Sequence, residues 1–256
     1  MIIGIKNDYF VAMSITYQGN FEFPNKKFYY CLSNDFYFKE MPDLNDQHKE
    51  LVNRDTSYFT GDPGKKLNVV TEGEEGEGAA GGEEEAKEGE GGEGEESEDN
   101  RSEEPEIQVP PKDLTELDRL KYVTLAIEND CQIAPVGAFK MTAQHQVRRN
   151  EAFKGLDSTN STNLDSYLHF RNVQTDEKKA LLEEPSAPFN PNFLESISAD
   201  EPKGCWNFQH DLSKKTVLGR SLMWPGYHFY HCHGKKKFGS VYIGDGLKNL
   251  ELQFMI

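Results

Sequence analysis

The sequence predicts an α+β fold. It is expected to consist mainly of antiparallel β-strands ending in a C-terminal β-meander, with a few helices and one long disordered acidic loop. Three observations carry this. All 29 aromatic residues of the 256-residue chain lie outside residues 71–106. Short apolar runs alternate with Gly, Pro, Asn and Asp turn signals, most regularly after Gly204. Residues 71–106 contain no aromatic residue and no Val, Ile or Leu.

Charge follows the same division. The formal net charge is −16, yet residues 71–106 hold sixteen Glu and one Asp against only Lys87 and Arg101. The remaining sequence carries 27 acidic and 26 basic residues. The acidic segment cannot bury apolar area to offset its chain entropy, and its like charges repel, so it is expected to be disordered. The remainder, about 220 residues, is long enough for one substantial core. The expected organisation is therefore one domain over 1–256 with 71–106 inserted as a loop, since closure cost grows only logarithmically with loop length.

The same numbers narrow the function. A near-neutral body lacks the basic footprint of a nucleic-acid binder. No run approaches 18 apolar residues, so no membrane-spanning helix is expected. The opening MIIGIKNDYFVAM has no basic leader, and the expected compartment is the cytosol. The four cysteines (Cys31, Cys131, Cys205, Cys232) are never closer than 27 residues, so they form no CxxC pair and no compact disulfide framework.

Taken in order, MIIGI and DYFVAMSITY read as strands around a Lys6-Asn7 turn, and KKFYYCLS and DFYFKEMP as aromatic-rich strands around Asn34-Asp35. TGDPGKK, residues 60–66, is turn chemistry. It fails as a phosphate loop, because Gly61 is too close to Gly64 and Lys66 stands where Ser or Thr is needed. After the acidic segment, Asp113 is placed to cap a helix with Glu116 at the capping-box position. Leu114, Leu117, Leu120, Val123 and Ile127 follow at helical spacing. CQIAPVGAFKM reads as a strand. TDEKKALLEE and NPNFLESIS read as short helices separated by Pro185, Pro188 and Pro191. CWNFQH, TVLGRSLMW, YHFYHCH, SVYIG and LELQFMI then read as successive strands of a meander.

The densest stretch is RSLMWPGYHFYHCHGKKKFGSVYIG, with His228, His231, Cys232 and His233 inside six residues. On a strand, neighbouring side chains take opposite faces. Tyr227, Phe229, His231 and His233 then share one face, and His228, Tyr230 and Cys232 the other. His231 and His233 can form at most half a zinc site, which needs further ligands from elsewhere. Cys232 is turned away from its flanking histidines, which weakens any thiolate pairing. There is no Gly-x-Ser-x-Gly elbow and no HExxH. No catalytic residue, cofactor or small-molecule substrate is therefore expected. A metal-binding or redox protein using His231, His233 and a cysteine is kept as the alternative.

Several segments together resemble the radial spoke head protein family of motile cilia, within it the radial spoke head protein 9 group. They are RSLMWPGYHFYH (220–231), FGSVYIGDGLKN (238–249), PKGCWNFQ (202–209), APVGAFK (134–140), FKGL and SYLHFR (within 153–171) and GDP (61–63). The resemblance implies a non-enzymatic structural subunit of the spoke head in the axoneme, a cytoskeletal assembly of the cilium or flagellum. Its implied partners are 4/6-type spoke head proteins and other head subunits, with indirect or transient contact to the central apparatus. Structural or interface weight then falls on Trp206, Trp224, Pro225, Gly226, Tyr227, Phe229 and Tyr242. In relatives a shorter, less charged loop stands where residues 71–106 lie, so no role for that segment carries over.

Overall fold

A computed structural model describes residues 2–5 and 8–16 by backbone alone, and residues 26–32, 37–67, 113–184, 186–187 and 190–255 in full. The acidic loop expected at 71–106, the Lys6-Asn7 turn, Asn34-Asp35, Pro185 and Pro188 lie outside these residues.

Strands β1 (Ile2–Ile5), β2 (Asp8–Thr16), β3 (Lys26–Leu32) and β4 (Lys39–Glu40) pair antiparallel in sequence order. The strand expected over DFYFKEMP reduces to β4, since Tyr37 and Phe38 form no ladder. Helix α1 (Asp46–Arg54) and the turn at Pro63-Gly64 follow. In that turn Asp62 accepts from the backbone N–H of Gly64 at 2.9 Å, as an Asx turn requires.

Helix α2 (Glu116–Cys131) begins two residues later than the sequence suggests. Thr115 is the N-cap and Asp118 completes the capping box, its carboxylate accepting from the Thr115 N–H at 3.0 Å. Asp113 instead pairs with Lys66 on the surface, at 2.6 Å. Glu116 has a different task. It is buried and accepts from the N–H groups of Thr60 and Gly61 (both 2.8 Å) and from the Thr60 hydroxyl (2.7 Å). A carboxylate at a helix N-terminus is favoured by the helix dipole, so Glu116 ties the 60–64 turn to α2. The apolar stripe holds: Leu114, Leu120, Val123 and Ile127 are buried, and Leu117 partly so.

CQIAPVGAFKM forms two short strands rather than one. They are β5 (Ile133–Pro135) and β6 (Phe139–Met141), separated by a turn in which Gly137 takes φ +81°. Strand β6 pairs with β7 (Val147–Arg149), and β5 pairs with β8 (Tyr167–His169). The first expected helix is α3 (Asp176–Glu183). NPNFLESIS is not helical up to Ser196. Phe193 and Leu194 drop into a second apolar cluster and Ser196 bridges Leu168, with only a 3-10 turn at Ile197–Ala199.

Four C-terminal strands complete the sheet: β9 (Trp206–His210), β10 (Thr216–Ser221), β11 (Tyr227–Cys232) and β12 (Phe238–Gly244). They form the expected antiparallel meander. LELQFMI does not add a strand; Leu252–Phe254 is a 3-10 turn that buries Leu252. The meander joins the N-terminal strands where β1 runs parallel to β12, Ile2 opposite Ile243 and Ile3 opposite Gly244. The described sheet thus has eight strands in the order β4-β3-β2-β1-β12-β11-β10-β9.

The core lies between α2 and the meander. Leu120, Val123, Ile127 and Cys131 of α2 share one cluster with Trp206, Trp224, Tyr227, Phe229 and Tyr242. Burial of an aliphatic or Phe side chain such as Leu120, Ile127 or Phe229 contributes roughly 1.5–3 kcal/mol.

Candidate functional site

The inner face of the meander is built from aromatic rings held by polar anchors. Trp206, Trp224, Tyr227, Phe229 and Tyr242 are all 6% exposed or less. The Trp224 indole N–H donates to Asp130 Oδ2 at 2.9 Å, and Lys248 donates to the same oxygen at 2.9 Å. Burial pushes the Asp130 carboxyl up, but the Trp224 and Lys248 donors outweigh it and leave it below the usual range. Trp206 has a parallel arrangement: its indole donates to Asp200 Oδ2 at 2.8 Å, while Asp200 Oδ1 lies 2.8 Å from His169 Nε2. His169 is 2% exposed and Asp200 is already engaged by Trp206, so this histidine–carboxylate pair serves as a buried anchor.

Pro225 and Gly226 form the reversal between β10 and β11. Gly226 has φ +97°, and a Cβ there would lie 2.1 Å from the carbonyl oxygen of Ile243. The Ile243 N–H donates to the Gly226 carbonyl at 3.0 Å. Only glycine allows this close approach of turn and strand. Tyr242 accepts from the Gly246 N–H at 2.9 Å, fixing the next turn, and its burial raises the hydroxyl to about 12.

The histidines divide as strand alternation predicts. His231 and His233 turn inward, while His228 is exposed. The inward pair meets a third imidazole that the sequence reading missed, His210 of β9, whose Nδ1 lies 3.1 Å from His233 Nε2. The β-register explains the meeting, since His210 and His231 both oppose Val217. His231 is fully buried, and its Nε2 accepts from the Leu156 N–H at 3.4 Å. Burial first, and then the neighbouring His233, pull its pKa down to about 4. Among the described residues no group of three His, Cys, Asp or Glu side chains is placed to hold a metal ion. Cys232 lies on the opposite face, 3.8 Å from the Thr216 hydroxyl. Burial drives the Cys131 thiol well above its usual range and Cys205 up to about 11, the opposite of what a reactive thiol needs. The metal alternative thus finds no ligand set among the described residues, and burial works against thiolate formation at Cys131 and Cys205.

The outer face is different in kind. Leu218, Tyr230, Val241 and Ile243 stand 41%, 44%, 44% and 57% exposed. Leu218 opposes Tyr230, Tyr230 opposes Gly239, and His228 lies between Arg220 and Val241. The Tyr230 ring rests over Gly239, where a Cβ would come within 3.0 Å of its Cε1. The result is an aliphatic and aromatic surface bordered by the exposed polar side chains Arg220, His228 and Gln209. Contiguous exposed apolar surface rimmed by polar groups marks interaction sites. The same alternation that buries the predicted aromatics creates this face, with the residues one position out of phase.

A family model described as Radial spokehead-like protein matches residues 160–256, which include the whole meander. The Radial spoke head protein 9 homolog of Danio rerio is 31% identical over all of this chain and 82% of its own length. The chain belongs to the radial spoke head protein family. The Radial spoke head protein 9 homologs of Bos taurus and Homo sapiens are 37% and 38% identical over 60% of this chain, which there spans 54% of their length. In this family member the matched segment contains both tryptophans, the Pro225-Gly226 reversal, the inward histidines and the exposed face. No helix among the described residues is long and apolar enough to cross a membrane.

Proposed function

We propose that this radial spoke head family member is a non-enzymatic structural subunit of the axonemal radial spoke head, supporting head assembly and ciliary motility. In this reading it works in the axoneme of the cilium, binds a 4/6-type spoke head protein directly, and meets the central apparatus only through the assembled head. One observation carries the reading of mechanism. The meander is pinned inside by Trp206–Asp200 and Trp224–Asp130 hydrogen bonds, and it presents Leu218, Tyr230, Val241 and Ile243 outward. A surface pinned in this way loses less entropy on docking, so its buried apolar area is converted into affinity. The inward aromatics then act as support, and the outward residues make the contact.

The test is co-expression with a 4/6-type spoke head protein. Tyr230→Asp with Ile243→Asp should abolish co-purification while the thermal melt of the chain alone stays within a few degrees of the parent. Undiminished co-purification with the doubly charged face overturns the assignment of this surface.

A further inference from the structure

We propose that the lysine loops at one end of the meander are a second docking surface, and that its partner is a glutamate-rich polypeptide segment of another protein. Three loops are locked together there. The β9–β10 turn touches the β11–β12 turn through the His233 N–H and the Lys215 carbonyl, at 3.0 Å. The loop after β7 joins them through the Gly234 N–H and the Leu156 carbonyl, at 3.1 Å. Gly155, at φ +95°, packs so closely that a Cβ would lie 2.5 Å from both the N and O of Lys235.

These loops carry Lys154, Lys214, Lys215, Lys235, Lys236 and Lys237, all exposed. Lys236 donates to the Glu151 carbonyl, and among the described residues none of the six pairs with a carboxylate. Three acids share these loops with the six lysines, Glu151, Asp157 and Asp211, so an excess of positive charge remains. Asp211 accepts from the Ser213 hydroxyl (2.8 Å) and the Lys215 N–H (3.2 Å), and Asp157 accepts from the Asn160 N–H (2.8 Å). Lys214 also sits at φ +53°, a left-handed conformation that non-glycine residues seldom adopt. The locked loops therefore carry more ammonium than carboxylate groups, in a body whose net charge outside residues 71–106 is near zero.

The chemistry selects the partner. Lysines are flexible, hydrated point charges that suit many interchangeable carboxylates rather than one planar anion. Nucleic acid is disfavoured, because Phe153 and Phe238, the aromatic rings of these loops among the described residues, are partly buried in the apolar clusters and offer no stacking platform. A partner segment in trans is proposed on charge complementarity; the chain's own acidic segment, flanked by Leu67 and Leu114, whose backbones are joined at 2.9 Å beside the N-terminus of α2, is the competing occupant that the test separates.

The test uses the full chain and a labelled synthetic glutamate-rich peptide, read by fluorescence anisotropy at about 50 mM and about 300 mM salt. Binding is expected at low salt, weakened strongly at high salt, and at least about tenfold weaker in a variant carrying Lys214→Gln, Lys215→Gln, Lys235→Gln and Lys237→Gln. The corresponding Lys→Arg variant should bind like the parent, and thermal melts of both verify folding. Equal binding by the Gln variant, or no binding by the parent, overturns the proposal. So does binding that emerges only when residues 71–106 are replaced by a Gly/Ser linker, which would identify the chain's own segment as the occupant. Tighter lysine-dependent binding of single-stranded RNA or of phosphatidylserine vesicles than of the peptide overturns the partner assignment.

Discussion

Trp224 allows apolar packing and its polar anchor to be separated. Truncation to Ala removes a side chain that is 3% exposed from the cluster between α2 and the meander. Core Trp→Ala changes cost about 3–5 kcal/mol. Trp224→Phe retains most of the apolar area and loses the indole N–H that Asp130 accepts at 2.9 Å. Hydrogen bonds to charged groups contribute about 1.5–3 kcal/mol, and Lys248 still satisfies Asp130, so the lower end, about 1.5 kcal/mol, is expected for Phe. For a body of this size each kcal/mol lowers Tm by roughly 2–4 °C. The Ala variant should therefore melt roughly 6–20 °C below the parent, and the Phe variant roughly 3–6 °C below it. Differential scanning calorimetry of the purified chain reads both. An Ala variant with an unchanged Tm would refute the placement of Trp224 in the core. A Phe variant as unstable as Ala would refute the division between packing and anchor.

Three other outcomes follow from the same geometry. Gly226→Ala should lower the urea midpoint far more than Gly234→Ala, because a Cβ at 226 meets the Ile243 carbonyl at 2.1 Å while one at 234 meets nothing within 4 Å; equal losses would mean that only the left-handed backbone matters. His231, held neutral with its pKa lowered to about 4 from the ordinary 6.5, takes up a proton more readily in the unfolded chain, so stability should fall as pH drops from 6.5 to 4, by about 3 kcal/mol in full. His231→Phe should flatten that part of the urea-derived stability curve, and an unchanged slope would contradict the burial argument. Replacing residues 71–106 with an uncharged Gly/Ser linker of equal length should leave the melt unchanged and reduce solubility, since the near-neutral remainder exposes apolar surface; a large loss of Tm would mean that the segment takes part in folding.

Local patterns made much of this fold legible. Strand alternation placed Tyr227, Phe229 and His231 on one face of β11 and His228 and Tyr230 on the other, and the 3.6-residue stripe of α2 was readable from Leu120, Val123 and Ile127. What stayed hidden depended on distance along the chain. The parallel pairing of Ile2 with Ile243 joins opposite ends of the sequence, and no local signal encodes it. His210 meets His233 only through the register of β9 on β10. Glu116 looks like a capping residue until the Thr60–Gly61 turn is found folded over it. Gly137 divided an apparently continuous strand because its φ of +81° turns the chain. The candidate contact face was missed for a chemical reason. Aromatic content points to Trp206, Trp224 and Tyr242, which the core consumes, whereas three of the four exposed positions, Leu218, Val241 and Ile243, carry smaller aliphatics with a weaker compositional signal.

Fractionation of motile cilia tests the central claim most directly. After detergent removes the membrane and soluble matrix, the full-length chain should remain with the axoneme. On salt extraction it should leave together with 4/6-type spoke head proteins, and the Tyr230→Asp, Ile243→Asp variant should be absent from that complex while still folded in the cell body. Recovery of the parent chain in the matrix fraction, or its extraction without any spoke head protein, would contradict the account.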